Sequence, residues 1–253
     1  MKFKEYGPKD AQAIMLLHGG GLSWWNYRDE AELLQKDFHV ILPILDGHAG
    51  SDRAFTSIED NAAEIISFID SELGGSVLLL GGLSLGSQIA LEILSQRKDI
   101  CRFAIVESAQ VIPSKLTNSL ISPVFGTSYC LIKNKSFAKL QFRSLHMKSQ
   151  FFEDYYRDTC KISKSDMIAF LKANTAYEVK KTLKSNEAVI RIVVGGREQK
   201  SMLESADILH KMLKNSTLEI KEGLYHGEYS INNPDQFVAE LRSMIKGGLH
   251  VGV

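Results

Sequence analysis

Short apolar runs alternate with helical patterns along most of this chain, and this alternation constrains its fold more than any other feature. Such runs are typical of strands buried on both faces of a sheet. They cover residues 13–17, 39–45, 76–80, 102–106, 189–194 and 217–221, with helical patterns at 25–36, 57–72, 86–96, 201–213 and 234–245. Because such an order requires crossover connections, it predicts an α/β fold with a mostly parallel central sheet and helices on both faces. Residues 1–6 are predicted to add an antiparallel edge strand.

The segment between about residues 113 and 183 breaks this alternation. It has no strong strand run, and its patterns at 136–145, 150–160 and 164–175 are helical. Long insertions within a compact domain are often functional, so we interpret it as a helical cap above the C-terminal edge of the sheet. The prediction is a single domain with a core of residues 1–112 and 184–253. The alternative is a peripheral helical pair without a role in binding.

Composition excludes several classes of protein. The chain has 30 basic and 30 acidic residues, so no net field favours nucleic acid or an anionic membrane surface. The three cysteines, Cys101, Cys130 and Cys160, are widely spaced and are expected to be buried or partly buried free thiols, as in a reducing compartment. The N-terminus lacks a signal-peptide pattern, and no run reaches the ~18 apolar residues of a membrane helix. These features predict a cytoplasmic protein with no nucleic-acid or membrane partner, and they leave open whether it is a monomer or a homodimer.

The motif GLSLG at residues 82–86 follows an apolar run and opens a helical pattern. A tight strand-to-helix turn needs small residues two positions before and after the serine, and it exposes the serine hydroxyl above the sheet. The start of the new helix favours negative charge at the same place. This context indicates that Ser84 is a nucleophile rather than part of a plain glycine turn.

A second glycine-rich motif, HGGG at residues 18–21, follows the first long strand. Glycines allow backbone N–H groups to face a cavity, and the N–H groups of Gly20 and Leu85 are the predicted oxyanion donors. A phosphate-binding loop is the alternative, but no Lys-Ser/Thr pair follows it as in nucleotide-binding loops. His18 is predicted to order this loop rather than to act as a base.

These motifs resemble the α/β-hydrolase superfamily, and within it the small bacterial hydrolases with a helical cap. The resemblance covers nearly the whole chain and includes DGHAGSD at 46–52, GGRE at 195–198 and YHG at 225–227, in the family's order. The resemblance implies an α/β-hydrolase fold. It also implies that the loop at 46–52, with Ala49 in place of a usual glycine, is structural, so His48 is not the predicted base.

The family's order of nucleophile, acid and histidine directs attention to two further residues. His226, after the last strand, is the predicted base, because a loop there can place its imidazole beside Ser84. The resemblance places the acid at Glu198, where similar proteins usually have Asp. Glu107, at the end of the fourth long run, is the alternative acid.

Aromatic residues follow the HGGG motif. One of the rings of Trp24 and Trp25, with Gly21, is a candidate wall of the acyl pocket; the alternative is that these rings pack the first helix against the sheet.

The leading functional hypothesis is hydrolysis of a small ester-type acyl substrate through Ser84, His226 and Glu198, with no metal or organic cofactor. Thioesters, lactones and carbon–carbon bonds beside a ketone are open on the same machinery, because fold does not fix function. Two other classes are a ligand-binding or interaction protein with little turnover and an acyltransferase.

Overall fold

A seven-stranded sheet forms the centre of the molecule in the computed structural model, which describes residues 1–249. The strand order is β1-β3-β2-β4-β5-β6-β7, and every neighbouring pair is parallel except β1 with β3. This topology confirms the predicted fold class and the antiparallel edge strand. The strands are β1 (Lys2–Tyr6), β2 (Ala13–Leu17), β3 (His39–Ile44), β4 (Val77–Leu83), β5 (Cys101–Glu107), β6 (Val189–Gly195) and β7 (Ser216–Lys221).

Both faces of the sheet are buried. Successive side chains of a strand point to opposite faces, so each strand contributes to two apolar cores. Along β2, Met15 and Leu17 belong to one apolar core, whereas Ile14 and Leu16 belong to the other. The helices that cover the sheet, or extend beyond it, are α1 (Arg28–Leu34), α2 (Ile58–Glu72), α3 (Leu85–Gln96), α4 (Lys115–Ser128), α5 (Lys135–Ser144), α6 (Phe152–Thr159), α7 (Lys164–Ala176), α8 (Lys200–Met212), α9 (Glu228–Asn232) and α10 (Pro234–Leu249).

Helices α4 to α7 occupy the chain between β5 and β6. Helix α4, which has no counterpart among the predicted patterns, packs on α7 through Asn118, whose amide donates to Lys172 O at 2.7 Å. The α4–α7 segment also contacts α3, one of the helices that cover the sheet: the amide of Asn174 donates to Gln88 Oε1 at 2.8 Å. The segment therefore lies against the helix that begins just after Ser84.

Element boundaries differ from the sequence predictions at two places that matter for the site. Strand β4 continues through its glycines to Leu83, which pairs with Glu107, so the serine follows the strand directly. The helix predicted over residues 25–36 begins as a 3-10 turn at Trp24–Tyr27 and becomes α-helical at Arg28.

Cys101, Cys130 and Cys160 are free thiols. Cys101 is buried and Cys160 is partly buried, as predicted, but the prediction is wrong for Cys130, which is exposed. Within residues 1–249, no helix combines the length and apolar character needed to cross a membrane.

Candidate active site

Ser84 lies in a strained turn between β4 and α3. Its backbone adopts φ 53° and ψ −112°, a left-handed φ that non-glycine residues rarely adopt. Two glycines make the turn possible: a Cβ on Gly86 would lie 2.1 Å from Leu17 O, and one on Gly82 would lie 2.4 Å from Gly86 C. The Ser84 N–H donates to Glu107 O at 2.9 Å, which fixes the turn against β5.

His226 approaches Ser84 from the loop between β7 and α9. Its Nε2 lies 3.0 Å from Ser84 Oγ, and its Nδ1 lies 2.7 Å from Glu198 Oε2. Gly227, the next residue, has φ 70° and begins the turn into α9. Three residues from separate parts of the chain thus form one continuous hydrogen-bonded series, in which the imidazole can pass a proton to and from the serine.

Glu198 is held on both of its oxygens. Its side chain is 1 % exposed; Oε2 faces His226, and Oε1 accepts from Gly195 N at 2.8 Å and Ser108 Oγ at 2.7 Å. Burial by itself raises the pKa of Glu198, but the hydrogen bond and charge of His226, with those from Ser108 and Gly195, outweigh it and lower the pKa below its ordinary value. The carboxyl group is therefore ionised at neutral pH. Ser108, at φ 55°, was not among the predicted site residues, and only its position at the end of β5 could have indicated it.

The alternative acid, Glu107, points elsewhere. Its side chain is buried, and Oε1 accepts from Ser230 N at 3.2 Å on α9. Burial raises the pKa of Glu107 to about 7, against the lowering effect of the Ser230 hydrogen bonds. The structure thus brings Glu198, and not Glu107, to the Nδ1 atom of His226.

The loop at residues 18–21 places Gly20 beside the start of α3. A Cβ on Gly20 would lie 3.5 Å from Leu85 Cβ. The N–H groups of both neighbours have acceptors: Gly19 N donates to Asn26 Oδ1 and Gly21 N to His48 Nε2, each at 3.0 Å. Across the chain up to residue 249, no acceptor pairs with Gly20 N.

Two buried histidines brace that loop. His18 Nε2 accepts from Leu45 N at 3.1 Å, and His48 Nε2 accepts from Gly21 N, so both imidazoles are neutral with the proton on Nδ1. Burial lowers the pKa of His48 to about 4 and lowers the pKa of His18 well below its ordinary value. Neither ring contacts Ser84, so the structure places both in the positions expected of loop-ordering residues.

A cavity of about 190 Å³ opens at Ser84 and His226. One wall is the loop containing Gly20 and Gly21; most of the remainder is apolar and comes from the α4–α7 segment. The side chains that this segment contributes include Phe125, Ile132, Leu145, Met147, Tyr155, Met167, Phe170 and Leu171.

The expectation that Trp24 or Trp25 lines this cavity is not supported. Trp25 is fully buried, its indole N–H donates to Asp158 Oδ2 at 2.9 Å, and its ring stacks on Phe151 with centroids 6.0 Å apart. Trp24 lies under the ammonium group of Lys4, 5.5 Å from the ring centroid. Trp25 belongs to the apolar core that also contains Ile14 and Leu16 of β2, and Trp24 packs against the same core. Both rings therefore have a packing role, which is the alternative that the sequence left open, but Trp25 also joins this core to α6.

Comparison with known proteins identifies the family. The sequence profile of the alpha/beta hydrolase fold matches residues 12–202, which is most of the chain. The chain belongs to the alpha/beta hydrolase family. An AB hydrolase superfamily protein of Gibberella zeae is 26% identical over 147 residues, which are 55% of this chain and 49% of that protein. The chain therefore spans about half the length of this curated relative.

Solved structures of other alpha/beta hydrolases share the fold at low sequence identity. A thermophilic esterase from Thermogutta terrifontis has TM-score 0.79 and 16% identity, with 97% of this chain and 93% of that one covered. An esterase from Exiguobacterium antarcticum has TM-score 0.81 and 19% identity over 96% and 94%. An enol-lactonase from Burkholderia xenovorans has TM-score 0.80 and 13% identity over 97% and 96%.

In this alpha/beta hydrolase, we predict that Glu107 makes the free energy of unfolding fall as the pH rises. The pKa of Glu107 is about 7 in the folded protein, above its ordinary value of 4.5, so the folded state binds more protons between these limits. Stability from this group is complete below about pH 4.5 and is lost as the pH rises to about 7. Glu107→Gln keeps an oxygen for Ser230 N and removes the charge, so it should stabilise the protein at pH 8 by about 3 kcal/mol.

The measurement is urea unfolding of wild type and Glu107→Gln from pH 4.5 to 8. The two proteins should be nearly equally stable at pH 4.5 and should diverge as the pH increases. If the free energies of unfolding of wild type and Glu107→Gln instead changed in parallel with pH, Glu107 would not be protonated below pH 7 in the folded protein.

Among the described residues, no group of three or more His, Cys, Asp or Glu side chains is arranged to hold a metal ion. The side-chain hydrogen-bond partner recorded for Ser84 Oγ is the imidazole of His226.

Proposed function

We propose that this protein hydrolyses small ester-type acyl substrates with Ser84 as nucleophile, His226 as general base and acid, and Glu198 as the residue that orients the imidazole. The observation that carries the proposal is the hydrogen-bonded series from Glu198 through His226 to Ser84, with 2.7 Å and 3.0 Å separations. The strained serine turn and the unpaired N–H of Gly20 support the same reading.

The chemistry starts with attack of Ser84 Oγ on the substrate carbonyl carbon while His226 Nε2 accepts the hydroxyl proton. Glu198 accepts the Nδ1–H hydrogen bond and stabilises the imidazolium charge. The carbonyl oxygen becomes an oxyanion, for which the N–H groups of Gly20 and Leu85 are the proposed donors. One such donor is typically worth about 3 kcal/mol of the activation barrier.

The intermediate collapses when His226 donates its proton to the leaving-group oxygen, and Ser84 keeps the acyl group. A water molecule then gives a proton to His226 and attacks the acyl carbon. When this second intermediate collapses, the bond to Ser84 Oγ breaks, His226 returns its proton to that oxygen, and the carboxylic acid is released. The acyl group would occupy the apolar cavity beside Gly20 and Gly21, whose lining fits a hydrocarbon chain or ring.

The test is the intact mass of the protein after treatment with a fluorophosphonate, which modifies only an activated serine. We expect one adduct on the native wild type and none on Ser84→Ala or on heat-unfolded wild type, because both lack the assembled site. Native wild type without an adduct would contradict the hydrolase proposal and favour the ligand-binding class, which predicts saturable binding without acylation.

A further inference from the structure

A second cleft, of about 350 Å³, meets the apolar cavity at Ser84 and His226. Unlike the cavity, it does not include the glycine loop at residues 19–21. Its walls are rich in polar side chains, among them Gln110, His146, Asn174, Arg197, Gln199 and Tyr225. Two chemically different spaces therefore converge on the same reacting atoms.

Arg197 is the fixed positive charge of this cleft. Its guanidinium group lies 5.5 Å from the ring centroid of Tyr225, and Nη1 donates to the Tyr225 hydroxyl at 3.3 Å. Among residues 1–249, no carboxylate forms an ion pair with Arg197. Most of its N–H donors are consequently available to a ligand, and the planar guanidinium suits a carboxylate or phosphate.

The part of the cleft wall around His146 and Tyr225 is held in place by contacts to α9, the helix that follows His226. The imidazole of His146 stacks on Tyr225 with centroids 3.8 Å apart and planes 4° from parallel. His146 O accepts from Asn232 Nδ2 at 2.8 Å, and Lys148 N donates to Asn232 Oδ1 at 3.0 Å. Because Asn232 ends the helix that begins two residues after His226, the cleft wall and the imidazole are positioned together.

The charges around the cleft favour an anion. Among the described residues that line the cleft, Glu198 is the one that is acidic. Its side chain is almost fully buried and its oxygens face Gly195, Ser108 and His226, so neither oxygen is directed at a ligand in the cleft. Arg197 lines the same cleft and has no carboxylate partner among residues 1–249. Helix α8 also begins at this wall with no side chain capping its first N–H groups.

We propose that this cleft binds the leaving group of the substrate and that Arg197 selects leaving groups that carry a negative charge. The inference rests on the proposed function and gives it a substrate class: esters of an apolar acid with an anionic alcohol or phenol. His226 must reach the leaving oxygen to protonate it, whereas the carbonyl oxygen faces Gly20. A group in the polar cleft touches Ser84 and His226 and lies outside the glycine loop, which is the arrangement that a leaving group requires.

Four esters test the proposal: neutral phenyl butanoate, anionic 3-(butanoyloxy)benzoate, cationic 3-(butanoyloxy)phenyltrimethylammonium, and phenyl hydrogen succinate, whose charge is on the acyl side. We expect Arg197→Gln to lower kcat/KM for the benzoate ester, relative to phenyl butanoate, by about tenfold, mostly through KM. The intrinsic reactivities of the esters cancel when each variant is compared with wild type. Arg197→Lys should show a smaller loss, and Arg242→Gln, a remote arginine that pairs with Asp37, should leave the ratio unchanged.

The outcomes separate this proposal from the hydrolase function. Turnover of phenyl butanoate with an unchanged benzoate ratio in Arg197→Gln would overturn the leaving-group role alone. An Arg197 effect on phenyl hydrogen succinate instead of the benzoate would reverse the substrate's orientation and overturn the proposal. No turnover of any of the esters, with no fluorophosphonate adduct, would overturn the hydrolase function and the leaving-group role together.

Discussion

Ser84→Ala should lower kcat for ester hydrolysis by about 10⁵- to 10⁶-fold while the protein remains folded. The Ser84 hydroxyl lies 3.0 Å from His226 Nε2, whereas an alanine methyl group offers no proton and no nucleophilic oxygen. Residual turnover would come only from water held near His226 and from the oxyanion donors. The measurement is the rate of butanoate ester hydrolysis by purified wild type and variant at neutral pH.

Two controls make the Ser84→Ala result specific. The variant should unfold in urea at nearly the wild-type midpoint, because the turn is fixed by backbone bonds such as Ser84 N to Glu107 O. It should also still bind butanoate in the apolar cavity, since the loss is in the chemistry and not in the lining. A folded variant that keeps more than a few per cent of the activity would remove Ser84 from the nucleophile role.

The parts of the site that the sequence could predict are those fixed by local geometry. Only small residues allow the turn around Ser84, because Gly86 packs against Leu17 O. This requirement is local, so it is visible in the sequence as a short glycine-containing motif. The strand runs were recognisable for a similar reason: strands buried on both faces are apolar along their length. One boundary moved because the glycine pair at the end of β4 resembles a turn although the chain continues to pair there. The other moved because the helix predicted from residue 25 begins as a 3-10 turn.

Contacts between distant parts of the chain could not be predicted in the same way. The indole of Trp25 is paired with Asp158, 133 positions away, and nothing near Trp25 indicates that α6 packs there.

The choice between the two candidate acids also depends on contacts between distant parts of the chain. Glu107 is the last residue of β5, and its carboxylate reaches Ser230, whereas Glu198 lies three residues beyond Gly195 in a loop that turns back to it. Sequence places both near one sheet edge, and only the tertiary contacts separate them.

Glu198→Gln is the second substitution with a large expected effect, a decrease in kcat of about 10³- to 10⁴-fold. The hydrogen bonds that Glu198 Oε1 accepts explain why replacing the carboxylate with an amide has a large effect. Both Gly195 N and Ser108 Oγ donate to this oxygen, so the single oxygen of a glutamine amide is drawn to that side. The amide NH₂ group then faces His226 Nδ1.

An NH₂ group at that place turns Nδ1 into an acceptor and moves the imidazole proton to Nε2. In this tautomer Nε2 donates towards Ser84 and has no lone pair for its proton, so the nucleophile is not activated. The variant also loses the carboxylate charge that stabilises the imidazolium. The measurement is kcat for an ester whose acylation step is rate-limiting, over a pH range that includes neutrality.

Glu107→Gln is the matched control, because it makes the same chemical change in a buried glutamate at the neighbouring strand end. Its oxygen can still accept from Ser230 N, and His226 keeps Glu198 as its partner, so kcat should change by less than about threefold. The reverse pattern, with a large loss in Glu107→Gln and little in Glu198→Gln, would transfer the orienting role to the acid at the end of β5. Large losses in both variants would contradict the assignment of the orienting role to Glu198 alone.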